Sequence, residues 1–249
     1  MQRMSERRFY CPELAVGLLR LPEEEAHHAR HVLRVRSGDE IRLFDGRGSQ
    51  ADARVLAIDR HGVEVSVERL EPPRRSDRPL PVTVAVAMPK GARQDTLVEK
   101  CTELGVEALW PILTARTVVR PRPGRHEHWR RVGIAAAKQA GRAYLPAILS
   151  PMPFAELVGC LHRFDLALFG DSGAEAEPLL SHLESRPPGG RSLVAIGPEG
   201  GFTPEEQTAL GAAGAVPVRL SRWTLRTETA AIDTTSIAGR PNRRMTRPA

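Results

Sequence analysis

Two short segments toward the C-terminus hold the residue types and spacing best suited to chemistry. Ile196-Gly197-Pro198-Glu199-Gly200-Gly201 follows an apolar run and combines three glycines, a proline and one carboxylate. Glycines let a backbone approach a ligand closely and present its amides, and ligands of open α/β sheets sit outside the carboxyl ends of the strands. The alternative is a tight strand-to-helix turn with no ligand. Leu225-Arg226-Thr227-Glu228-Thr229-Ala230 sets a guanidinium, a carboxylate and two hydroxyls beside a second apolar run. Arg226 suits a phosphate or an anionic transition state, and Glu228 can orient that guanidinium or accept a proton. The alternative here is a plain helix start, with Thr227 as cap and Glu228 favoured by the helix dipole. The glycine segment lacks the GK[ST] ending of a P-loop and is not a GxGxxG fingerprint, so triphosphate and dinucleotide binding are unsupported.

The elements that must position these segments are legible around them. Val82–Met88 is a continuous apolar run of buried, parallel-strand type. Leu97, Val98, Cys101 and Leu104 form one helical stripe over residues 93–104. Ala108–Leu113, Asp165–Phe169, Ser192–Ile196 and Val216–Leu220 read as further strands, and Glu127–Arg142 as an Ala-rich helix. Thr203-Pro204-Glu205-Glu206 predicts a capping box with proline at the first helical position, and Gly214 ends that helix. Strands alternating with helices imply a parallel α/β sheet. Glu71–Pro79, rich in proline and charge, is the clearest linker. Before it, Asp39–Phe44, a turn at Asp45-Gly46-Arg47-Gly48, Ala51–Ile58 and the strictly alternating Gly62–Val67 read as strands. With a helix over Glu23–Val35, they predict a small β-rich barrel.

Composition bounds the function classes. At 249 residues with 41% apolar and 27% charged residues, the chain is an ordinary globular protein of one large or two modest domains. No segment has the apolar length of a membrane span, and the first ten residues lack the apolar core of a secretory signal. Cys11, Cys101 and Cys160 lack CxxC spacing, so neither a disulfide framework nor a zinc site is indicated, and a reducing cytoplasm is the expected location. The net charge is +6, and residues 79–150 carry 11 Lys/Arg against 5 acids. The excess clusters around Arg116, Arg120, Arg122, Arg125, Arg130, Arg131, Lys138 and Arg142. Such a patch favours a polyanion; a solvated helix face is the alternative, since Arg outnumbers Lys by 33 to 3.

Taken in order, several segments resemble the bacterial 16S rRNA (uracil-N3)-methyltransferase family of the SPOUT superfamily. They are Arg8-Phe9-Tyr10, His28 through Val32-Leu33-Arg34, Phe44-Asp45-Gly46, Lys90, Glu103-Leu104-Gly105-Val106 with Pro111, and Gln139-Ala140-Gly141-Arg142 with Pro146. Ile196–Gly201 and Leu225–Ala230 complete the series. The resemblance implies a PUA-like RNA-binding domain over residues 1–73. It also implies a trefoil-knotted α/β methyltransferase domain over residues 79–249, a parallel sheet with flanking helices, acting as a homodimer on 16S rRNA or the small ribosomal subunit. S-adenosyl-L-methionine would be the cofactor, with no metal and no membrane. Carried over by position, Gly197, Glu199, Gly200 and Gly201 form one cofactor loop, and Leu220, Leu225, Arg226 and Thr227 the other. Arg226, Glu228 and Thr229 are the catalytic candidates. Arg8, His28, Arg30 and Arg34, with Arg116 and Arg142 of the basic stretch, would face RNA. His126 and His128 are read as solvated residues of a polar loop.

The chain departs from the family's pattern twice. Ser221 and Arg222 stand where the family has Gly-Pro, before Trp223. The family's apolar closing helix is replaced, after Ala230-Ala231-Ile232, by Asp233-Thr234-Thr235-Ser236 and a polar tail that reads as disordered beyond Gly239. Both departures bear on cofactor affinity and dimer stability. The alternatives are a non-catalytic RNA-binding homologue and an enzyme methylating another rRNA position, such as a ribose hydroxyl.

Overall fold

The computed structural model describes residues 7–120, 124–171, 173, 176–187 and 189–239. The chain divides into two compact units: one holds the chain up to Arg78 together with Ile134–Leu145, the other holds Pro79–Gly133 and the chain from Pro146 onward.

The first unit contains β1 (Arg8–Tyr10), β2 (Gly17–Arg20), α1 (Glu23–His31), β3 (Glu40–Phe44), β4 (Gln50–Asp59) and β5 (Gly62–Val67). The strands form one sheet in the order β1-β3-β4-β5-β2, antiparallel except for β1 beside β3. Alternate residues Val63, Val65 and Val67 point into a core with Phe9, Ile41, Leu43 and Val55. Ala26 and Ala29, one turn apart on α1, close it. The helix stops four residues short of the predicted Val35. Arg34 lies in the left-handed region at φ 50°, and the Val35 N–H turns back to the Ala29 carbonyl at 3.0 Å. Sequence pattern alone does not show that reversal, because Val32, Leu33 and Val35 keep the apolar spacing of a helix.

The second unit runs β6 (Leu80–Val86), α2 (Arg93–Leu104), β7 (Val106–Leu113), α3 (Arg125–Gln139), β8 (Ala147–Ile148), β9 (Met152–Pro153), α4 (Phe154–Cys160), β10 (Leu166–Gly170), β11 (Glu177–Pro178), α5 (Leu179–Ser185), β12 (Ser192–Ile196), α6 (Pro204–Ala212), β13 (Val216–Arg219) and α7 (Thr227–Ala238). The last six residues of α3 belong with the first unit. The strands pair in parallel in the order β11-β13-β10-β12-β6-β7-β8, with β9 beside β7. Both faces are covered. Val82, Val84, Val86, Val194 and Ile196 face Leu97, Val98 and Cys101 of α2 and Ala230 and Ala231 of α7. Ala85, Leu193 and Ala195 face Leu157 of α4 and Leu210 of α6. This two-sided burial is why β6 and β12 read as unbroken apolar runs.

The closing helix corrects one expectation. It does not give way at Asp233 but continues to Ala238, with Thr234 and Thr235 fully buried. Thr235 donates its hydroxyl to the Ala231 carbonyl at 2.9 Å and lies 3.5 Å from Cys101 Sγ of α2. A threonine whose hydroxyl is bonded to its own preceding turn presents chiefly its methyl to the neighbour, so a polar letter occupies an apolar position. Ile232, Ile237 and Ala238 pack against the same core. The tail predicted to be disordered, beyond Gly239, lies outside the described residues. No described helix is long and apolar enough to cross a membrane.

Candidate active site

In a parallel sheet every strand delivers its following loop to the same edge. The loops after β6, β10, β12 and β13 therefore emerge together, and the two sequence segments are two of them. The glycine loop is shaped by backbone bonds. The Gly201 N–H donates to the Pro198 carbonyl at 2.8 Å, closing a turn with Glu199 and Gly200 at its corners. A Cβ on Gly197 would lie 3.2 Å from Gly201 C and Phe202 N, so that position admits no side chain without moving backbone. Downstream the predicted capping box is present. Thr203 Oγ1 accepts from the Glu206 N–H at 3.2 Å, and Glu206 Oε2 accepts from the Thr203 N–H at 2.9 Å. Glu206 Oε1 also accepts the Ala115 N–H at 2.7 Å, tying the end of β7 to the start of α6.

The second segment caps α7. Arg226, not Thr227, is the cap residue, with extended backbone and an exposed side chain. Thr227 is the first helical residue and sends its hydroxyl across to the Gly197 carbonyl at 3.4 Å, so the two loops touch. Glu228 is buried and Thr229 exposed, as neighbours on a helix that meets the core must be. Leu220 packs over Gly170 at the end of β10, where a Cβ would lie 3.2 Å from its Cδ1. Leu225 is half-buried against the core.

Arg93 links the segments and was missed in the sequence. Its Nη1 lies 3.3 Å from Glu199 Oε1 in the glycine loop and 3.7 Å from Glu228 Oε2 on α7. A signal existed: a cation in the first turn of a helix opposes the helix dipole, so its position calls for another reason. Glu228 Oε2 is buried without a hydrogen-bond partner. Such an oxygen is costly to leave without a donor, and the Arg93 guanidinium is the cation that faces it. Replacing Arg93 by alanine is expected to destabilise the fold, and adding Glu228→Gln to recover part of the loss. Urea titrations of the four proteins of that cycle should give a coupling energy of about 0.5–1.5 kcal/mol.

The basic stretch is partly committed within its own unit. Arg116 donates to the Gly200 carbonyl at 2.6 Å and lies against Gly200, so this expected RNA contact also braces the glycine loop. Arg125 and His128 both reach Asp95, at 3.0 and 2.9 Å, joining the starts of α2 and α3. His126 meets the Ile148 carbonyl. The two histidines stand on a helix and not in a loop, because α3 begins at Arg125; His126 is exposed and His128 half-buried. Arg122 lies outside the described residues.

In the first unit, Arg8 is 7% exposed: its guanidinium stacks over Phe44 and donates to the Arg142 carbonyl at 3.0 Å. Burial lowers its pKa to about 10, still well above neutrality. A guanidinium so enclosed braces the Arg142 segment and does not offer an open face. Lys138 pairs with Glu25 of α1 at 2.8 Å. His28 packs edge-on to Phe9, and burial, reinforced by the Lys138 charge, pushes its pKa down, so it is neutral at pH 7. Arg30 is half-buried on α1, Arg34 is exposed in the left-handed turn, and Arg142 is half-buried with its pKa lowered by burial.

Residues 76–239 match the RNA methyltransferase domain family and residues 21–68 the RNA methyltransferase PUA domain. Fold and site together define a parallel-sheet α/β methyltransferase with a PUA-like domain before it. The ribosomal RNA small subunit methyltransferase E of Synechocystis sp. is 32% identical over 229 residues, 91% of this chain and 75% of that protein. Its Bacillus subtilis counterpart is 30% identical over 215 residues, 83% and 84% of the two chains. The crystal structure of the Neisseria gonorrhoeae ribosomal RNA small subunit methyltransferase E bound to S-adenosyl methionine superposes with a TM-score of 0.83 at 31% identity, covering 92% of this chain and 95% of that one. A Legionella pneumophila methyltransferase with bound S-adenosylmethionine gives a TM-score of 0.83 at 30% identity, over 93% and 96%. The chain belongs to the ribosomal RNA small subunit methyltransferase E family.

Proposed function

We propose that this protein methylates N3 of a uridine in small-subunit (16S) ribosomal RNA, using S-adenosylmethionine. The observation that carries the reading is the meeting of the glycine loop with the start of α7, through Thr227 and Arg93, at the carboxyl edge of a parallel sheet. The residues fit the cofactor: a turn in which a side chain at Gly197 would crowd backbone atoms, so that the backbone itself can approach a ligand. Gly197, Glu199, Gly200, Gly201, Leu220, Leu225 and Thr227 would hold it. Bound there, S-adenosylmethionine supplies an electrophilic methyl group on its sulfonium.

The chain's own residues then have three tasks. The loops align the uracil ring and keep water out, which is where an entropy gain arises. Arg226, exposed at the cap of α7, stabilises the negative charge that develops on the uracil oxygens as N3 loses its proton. Glu228 is the acceptor for that proton, with the exposed Thr229 hydroxyl as the relay. The first unit, corresponding to the domain expected over residues 1–73, binds RNA, with the exposed Arg34 among its contacts. On the same reading the protein is a homodimer in the cytoplasm, where its substrate is made.

The test is mass mapping of nucleosides from small-subunit particles incubated with the protein and S-adenosylmethionine. Appearance of 3-methyluridine is expected. Ribose methylation without 3-methyluridine would refute the chosen position. A folded protein that binds RNA but shows no calorimetric binding of S-adenosylmethionine would refute the enzyme.

A further inference from the structure

The chain has three tryptophans, and they are placed very differently. Trp129 is fully buried and Trp110 half-buried, while Trp223 is 68% exposed in the loop between β13 and α7. Its position is set rather than left free: the Trp223 N–H donates to Ser221 Oγ at 3.1 Å, a side-chain turn that orders the loop. Arg222 places its guanidinium carbon 4.8 Å from the centroid of the indole, a cation–π contact on one face. With one face taken by Arg222 and most of the residue still accessible, the other face is open. Among the described residues neither Arg222 nor Arg226 pairs with a carboxylate. Two unneutralised guanidiniums thus flank an ordered, solvent-facing indole, three residues before the cap of α7. Three residues reach at most about 10 Å, so the backbones of Trp223 and Arg226 lie within that distance of each other.

We infer that Trp223 and Arg222 form a stacking platform for an unpaired nucleobase adjacent to the methylated one, with the two guanidiniums on the neighbouring phosphates. The inference rests on the RNA methylation reading for the identity of the strand. Every base has an apolar face that stacks on an aromatic ring irrespective of sequence, and RNA is read mainly where its bases are unstacked. A guanidinium on the back of the ring raises its grip on the polyanion without competing for the open face. This also accounts for Ser221 and Arg222 in place of Gly-Pro: the serine orders the turn and the arginine backs the ring. The platform is carried on the same loop as Leu220 and Leu225, but those two side chains pack inward while Trp223 faces solvent.

The test uses the full chain with a fluorescent single-stranded uridine-rich RNA octamer and the same octamer fully paired, without cofactor. Trp223→Ala is expected to weaken the single strand by about tenfold or more, Trp223→Phe to stay within about threefold because stacking needs only an aromatic face, and the duplex to be indifferent to both. The single strand should quench the protein's tryptophan emission, and that quenching should vanish in Trp223→Ala. Unchanged S-adenosylmethionine binding by calorimetry shows that Trp223→Ala is folded. Equal octamer affinity in Trp223→Ala and the original protein overturns the platform. So does sedimentation showing that Trp223→Ala only loses self-association, which would assign the indole to a second copy of the chain. Octamer binding involves no methyl transfer, so the two readings fail separately. Absence of 3-methyluridine with intact Trp223-dependent binding removes the enzyme reading alone.

Discussion

Arg226→Ala lowers kcat for methylation of small-subunit particles by about 10²–10³-fold, the loss typical of one donor aimed at a developing negative charge. Binding of S-adenosylmethionine should change by less than about threefold, because an interaction made only in the transition state does not appear in the ground state. Arg226→Lys should recover part of the rate, since a point charge replaces a planar fork. Single-turnover methylation with calorimetry of the cofactor separates the two effects. The structure gives the substitution a clean reading: Arg226 is exposed at the cap of α7, and its backbone supplies the helix start without its side chain. Loss of cofactor affinity at unchanged single-turnover rate would move Arg226 from the reacting uracil to the cofactor loop.

Gly197→Val raises the S-adenosylmethionine dissociation constant by about 10- to 100-fold, since displacements near 1 Å are enough to cost that much in a positioned site. The reason is specific to the turn. The first added carbon would already lie 3.2 Å from Gly201 C and Phe202 N, and both are backbone atoms. They cannot swing aside as a side chain does, because Thr203 and Glu206 anchor the chain just beyond them and Glu206 holds Ala115 as well. The strain, about 1–3 kcal/mol for an overpacked site, should lower the melting temperature by several degrees and leave the circular dichroism spectrum unchanged. A variant that binds the cofactor normally would show that the turn is only a connector between β12 and α6.

Much of the second unit could be read from the chain. Residues 93–104 form the predicted helix to the residue, because the stripe of Leu97, Val98 and Cys101 is long enough to fix its period and Gly105 ends it at φ 89°. The Thr203–Glu206 capping box was equally legible, being a bond between neighbours in the chain. The family was legible too, through the order of its segments. Short elements were not. Ala147–Ile148, Met152–Pro153 and Glu177–Pro178 are two-residue strands, too brief to show any period. Helices α4 and α5, seven residues each, lacked a sustained stripe. The Thr234-Thr235 pair misled because polarity is judged by side chain alone, while Thr235 satisfies its hydroxyl on its own helix.

What the chain by itself determined were the properties set within a few residues: turns, caps, strand and helix periods, and the presence of two loops rich in glycine or in arginine and threonine. What only the tertiary structure decided was where the long charged side chains end. Arg93 joins Glu199 and Glu228 across more than a hundred residues of sequence, Arg116 braces Gly200, and Arg8 is enclosed under Arg142. An arginine can extend in many directions with nearly equal ease, and its own neighbours do not choose among them. The choice is made by which strand ends the parallel sheet gathers at one edge, and that depends on strand order, which no local pattern encodes.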